Sequence, residues 1–177
     1  MTNGPGSKVA DLACLRFEEV AEVAQQWLPV GWGSARRAGS PPHLLVESDD
    51  PAWAVSDFSR FREAGFRVAF CPGYAADHRG CPVVGGGRCE LMEGADVVLL
   101  DLDPACGVGR AERVGYPGLP VVQIVRRRST GGDEQAQPGA DPTGDIVLSG
   151  TASLQARVDA LREALSTSQT TGRPAAG

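Results

Sequence analysis

The run Ala95-Asp96-Val97-Val98-Leu99-Leu100-Asp101-Leu102-Asp103-Pro104 constrains the fold of this chain more than any other stretch. Its four consecutive large aliphatics are too few to cross a bilayer and too continuous for a strand with one wet face. They specify an interior parallel strand covered on both sides. Such a strand needs neighbours on both edges. Asp101 and Asp103 stand where it ends, just before Pro104, at the C-terminal edge of the sheet where open α/β folds gather their ligands.

Around this run the chain alternates strands and helices. Residues 43–47 (HLLVE) predict a first strand. Asp50 and Pro51 then open a helix over 51–64 that Gly65 closes, with Ala54, Phe58 and Phe61 recurring on one face. Residues 66–71 predict the second strand, 72–89 a loop, and 90–94 at most a short turn before the central strand. A short helix at 110–114, a fourth strand at 120–125, a long loop at 129–145, a fifth strand at 145–149 and a last helix at 153–165 complete the series. The fold class is therefore α/β. We expect a single doubly wound, parallel five-stranded sheet of flavodoxin-like type in the order 2-1-3-4-5, occupying residues 43–165.

Residues 1–42 predict an extra helix at 9–28 and a linker, and residues 166–177 a flexible tail. The helix carries Leu12, Leu15, Val20, Val23, Trp27 and Leu28 as an apolar stripe that it cannot bury alone. A protein partner or self-association through this helix is the expected cover.

Composition narrows the function. The 177 residues are 42% hydrophobic with a formal net charge of -5, enough for one domain with a real core and a poor match to nucleic acid, whose phosphates reward surplus Lys and Arg. Arg126-Arg127-Arg128 alone runs the other way and reads as a solvated strand end. No run is apolar enough for a membrane span, and the first residues carry no signal-like pattern, so a cytoplasmic protein is expected.

Together, LLVESDDPAWAVSDFSRFREAGFRVAF (44–70), ADVVLLDLDPACGVG (95–109), LPVVQIV (119–125) and DIVLSGTASLQARVDALREAL (145–165) resemble the receiver domain of bacterial response regulators. The resemblance implies that Asp101 is the phosphoryl acceptor. It further implies that Asp49, with Glu47 or Ser48, supplies an acidic pair holding Mg2+ near Asp101 and Asp103. Two departures bear on the switch. Receivers end strand four with Ser or Thr, where this chain has Ile124-Val125-Arg126, and strand five with Lys, where it has Leu148-Ser149-Gly150. Arg126 supplies a cation only if its fork reaches inward. The reading is a regulatory or protein-interaction pseudo-receiver without a normal phosphorylation switch. A Mg-dependent phospho-accepting receiver is the first alternative.

The second alternative is a small metalloprotein. Cys71, His78, Cys81 and Cys89 fall in or beside the loop at 72–89, and Cys106 follows the central strand. Three thiolates with an imidazole suit tetrahedral Zn2+, and four thiolates suit Zn2+ or an iron-sulfur cluster. Cys14 and Cys71 also fit as small core residues. Gly85-Gly86-Gly87 lacks the Lys-Ser/Thr ending of a nucleotide loop and reads as a bend. No G-x-S-x-G or H-E-x-x-H is present, so catalysis is not expected.

Overall fold

The computed structural model describes residues 32–33, 39–48, 50–71, 81–103, 106–126 and 145–170. The expected amino-terminal helix, Cys14, Asp49, His78, Pro104 and the long loop after Arg126 lie outside the described residues. Five strands form one parallel sheet: β1 (His43–Ser48), β2 (Arg67–Cys71), β3 (Val97–Asp101), β4 (Val121–Val125) and β5 (Ile146–Ser149). Their order is β2-β1-β3-β4-β5, as the alternation predicts, with every residue of β3 buried in the middle.

Two cores sandwich the sheet. On one face Leu44, Val46, Leu99, Val122 and Ile124 pack under α1 (Pro51–Glu63) and α4 (Leu154–Thr170), which contribute Phe61, Val158 and Leu161. On the other, Leu45, Val98, Leu100 and Val121 meet α2 (Glu90–Gly94) and α3 (Val108–Gly115) through Met92 and Val108. Strand residues alternate strictly between the two, because successive side chains in a strand point to opposite faces.

Local chemistry sets the boundaries. α1 ends at Gly65, whose φ of 96° is the left-handed conformation that glycine adopts without strain. The Ser153 hydroxyl accepts the Ala156 N–H at 3.2 Å and starts α4. Asp96 and Asp145, each just ahead of a strand, accept the first N–H of the neighbouring strand: His43 at 2.7 Å and Val121 at 2.8 Å.

Three expectations need correction. α4 continues to Thr170, so the chain is helical well past residue 165; the Ser/Thr/Gln-rich end lacks apolar residues but extends an established helix at little cost. α3 is longer than the predicted 110–114 because Val108 and Glu112 bury one turn apart. The stretch before β1 is not merely a linker. Trp32 stacks on His43 at 4.7 Å, donates from Nε1 to the Leu91 carbonyl at 3.0 Å, and lies where a side chain at Gly94 would have to be, 2.5 Å from a Cβ placed there.

Across the first core, Arg157 of α4 donates to Asp57 of α1 at 2.7 Å with both side chains buried. Among the described residues no helix is long and apolar enough to cross a membrane.

Candidate functional site

At the C-terminal edge of the sheet two acidic clusters form, one on each face. The first centres on Asp101. β1 runs one residue beyond the predicted end, placing Ser48 directly opposite Asp101 in the register. The Ser48 hydroxyl stands 3.4 Å from Asp101 Oδ2, and it accepts the Asp50 N–H at 3.0 Å. Asp101 is only 3% exposed. Arg126, one residue past β4, reaches inward with its fork: Nε donates to Asp101 Oδ1 at 2.9 Å and Nη2 to Oδ2, while Nη1 approaches Asp50 at 3.7 Å. Both acceptor oxygens of Asp101 are thus engaged by one planar guanidinium, the geometry in which arginine binds a carboxylate most strongly.

Gly150 makes that reach possible. A Cβ there would lie 2.8 Å from Arg126 Cγ and 3.1 Å from its Cα, so a side chain just past β5 would displace the arginine. Where the resemblance expects a lysine from strand five, this chain has a glycine that makes room for an arginine from strand four. In this structure both oxygens of Asp101 that a hard cation would take are held by Arg126.

The second cluster is the one the sequence reading missed. Glu47, expected beside Asp101, points to the opposite face, since it alternates with Ser48. There it is buried at 4% exposure and hydrogen-bonds Glu112 of α3, buried at 2%. Burial is the main cause that raises both carboxyls, and Glu112, next to the Glu47 charge, is pushed up to about 11. The pair therefore shares a proton, with Glu112 donating to Glu47. The available signal was the Val108–Glu112 spacing, which sets the glutamate one turn from an apolar residue on the same helical face.

Cys71, at the end of β2, hydrogen-bonds Glu47. Cys81 and Cys89 lie near enough to Glu112 to act on its charge, and the charge of Glu47 acts on the Cys106 thiol. All four cysteines pack against the second core, and none forms a disulfide. Desolvation raises the Cys89 and Cys106 thiols, so both favour the protonated form. The charge of Asp103 acts on the Cys106 thiol. Among the described residues no three His, Cys, Asp or Glu side chains already surround a point a metal ion could occupy.

The segment holding Cys81 and Cys89 is ordered by its own bonds. Val83 is buried, and the Tyr116 hydroxyl accepts the Cys89 N–H at 2.7 Å. The N–H groups of Gly85, Gly86 and Gly87 donate to the carbonyls of Cys81, Val83 and Pro82, which leaves none to cradle a phosphate.

No family model and no curated protein matches this sequence. Solved structures do match its fold. A response regulator receiver domain protein from Clostridium thermocellum superposes with a TM-score of 0.51 at 14% identity, covering 74% of this chain and 99% of that one. A CheY-like receiver domain protein from Methanospirillum hungatei JF-1 gives 0.51 at 13% identity, covering 75% and 100%. Strand order, parallel register and these superpositions agree: the chain has the CheY-like fold of a response-regulator receiver domain.

Proposed function

We propose that this chain is a regulatory or protein-interaction domain of receiver fold whose acidic site works without the ordinary phosphorylation switch. One observation supports the reading above all. The buried carboxylate at the acceptor position has its two oxygens occupied by Arg126, a cation built into the chain. Phosphoryl transfer to a carboxylate needs an exposed oxygen and a divalent ion to neutralise developing charge. Arg126 stands in place of both requirements. Its permanent charge also removes the contact difference between states through which a new phosphoryl group would drive a change. We assign no catalytic activity to the domain. Its expected partner is a protein or a second copy, engaged through the helix expected within residues 1–30; deleting residues 1–30 should lower the oligomeric state found by light scattering or lower the melting temperature, and an unchanged oligomeric state with an unchanged melting temperature would remove that part of the reading.

The Mg-dependent phospho-accepting alternative draws its support from the fold likeness itself and from the position of Asp101 at the end of β3. It requires Arg126 to leave Asp101. A Mg2+ titration separates the two: the wild-type protein should show no saturable binding at millimolar Mg2+, whereas Arg126→Gln should bind. Equal affinity in both proteins would favour the alternative.

A further inference from the structure

The two faces of the sheet are covered unequally. α1 and α4, of 13 and 17 residues, lie on one, while the other carries α2 and α3, of 5 and 8. Among the described residues three large apolar side chains are exposed, Val84, Val114 and Val147, and all three belong to the thinly covered side. Val114 stands on α3 and is 80% exposed. Val84 follows Val83 of the second core, and Val83 Cγ1 lies 3.9 Å from a Cβ placed at Gly115, just after Val114. Val147 is in register with Gln123 and, through it, with Leu100, so it shares their face. Apolar surface gathered on one face of a domain marks a place where something packs.

We propose that the cover is this chain's own amino-terminal segment, residues 9–28, laid across the α2/α3 face and pinned there by Trp32. Few other segments could serve. Outside the described residues, 127–144 and 171–177 hold no large apolar side chain and 72–80 only Tyr74, whereas 9–28 hold the whole apolar stripe. Position agrees. Trp32 packs against the second core, donates to the Leu91 carbonyl of α2 and fills the space that Gly94 leaves open. Leu28 is four residues earlier, and an extended chain covers at most about 3.5 Å per residue, so the end of the expected helix stands within about 14 Å of that anchor. Twenty helical residues span about 30 Å, and β1 and β5 are three strand spacings, about 14 Å, apart, so the segment is long enough to reach from Trp32 to Val147. A tether this short holds the segment at an effective concentration on the order of millimolar, which favours the same chain over a second copy. The inference rests on the reading that residues 1–30 carry the interaction helix and adds its regulation: a protein partner must take the apolar stripe from the domain's own face.

Amide exchange on the full chain tests this, with light scattering on the same samples. In dilute, monomeric protein the amides of residues 9–28 should be protected about tenfold or more over an unstructured chain. Val114→Asp/Val147→Asp sets two charges on the covered face and should remove most of that protection, while the amides of β3 report that the domain is still folded. Trp32→Ala should loosen the same segment. Glu163→Lys, on the exposed surface of α4, should change nothing. Protection unchanged in the folded double variant would overturn the proposal, as would free exchange of residues 9–28 in the wild-type monomer. Protection that appears only as rising concentration raises the mass would also overturn it, and would leave the partner reading standing with a second copy as the cover. That reading fails by a different result, when deleting residues 1–30 changes neither oligomeric state nor melting temperature.

Discussion

Two buried acidic clusters share one edge of this sheet, and they are neutralised in opposite ways. On the α1/α4 face Asp101 is held by the forked guanidinium of Arg126, an ion whose charge does not change with pH. On the α2/α3 face Glu47 and Glu112 hold a proton between them, and that charge does change. The first arrangement fixes a site in one state. The second leaves a site whose balance can be altered by a base. Adjacent residues, Glu47 and Ser48, feed the two, so a single strand divides its chemistry between the faces.

The largest test of this contrast is the pH dependence of stability in chelator-treated protein. Glu112 keeps its proton in the folded state up to about 11 but loses it near 4.5 when unfolded. The folded state then holds the extra proton, so stability is greatest below about pH 4.5 and falls as pH rises towards the folded value. One pKa unit corresponds to about 1.4 kcal/mol, so unfolding between pH 5 and pH 8 should show a loss on the order of 4 kcal/mol. Glu112→Gln should flatten that slope and leave the protein more stable at the upper pH. A slope that persists in the variant would place the linkage elsewhere.

Arg157→Ala ranks next. It strips the buried partner from Asp57 between α4 and α1, and urea unfolding should show a loss of about 3 kcal/mol. Arg126→Gln removes a cation that is 44% exposed, so solvent screening reduces the effect to about 1–2 kcal/mol. If the two losses proved equal, Arg126 would be contributing as a buried ion rather than a half-wet one. Gly150→Ala is the smallest of the series. Its new methyl meets the Arg126 stem, and the expected cost is about 1 kcal/mol, with Mg2+ affinity rising as the fork is pushed from Asp101.

The fold was legible because its information is carried in aliphatic runs. VVLL, HLLV and VVQIV each specify a covered parallel strand, and Pro51 with Gly65 marks both ends of α1. The sites were legible only in part. Asp101 was placed correctly from the end of its strand, and Arg126 was visible as the nearby cation, but its inward reach depends on Gly150, twenty-four residues away. Of Glu47 and Ser48, the two residues the sequence offers beside Asp49, it is Ser48 that stands opposite Asp101, because β1 extends through Ser48 and a period of two turns a shift of one residue into a change of side. Glu112 carries one faint signal, its place one turn after Val108, because in a polar stretch a glutamate otherwise reads as solvated and its burial is decided by where α3 docks, which is a tertiary fact.

The proposal that Arg126 keeps Asp101 out of a phosphorylation switch is tested most directly by intact-mass analysis. The wild-type protein is incubated with acetyl phosphate and Mg2+, and sizing and amide exchange are recorded on the same sample. The account predicts an unmodified mass, an unchanged elution volume and unchanged protection across β4 and β5. Near-stoichiometric phosphorylation at Asp101, accompanied by a change in oligomeric state or in the protection of those strands, would contradict it.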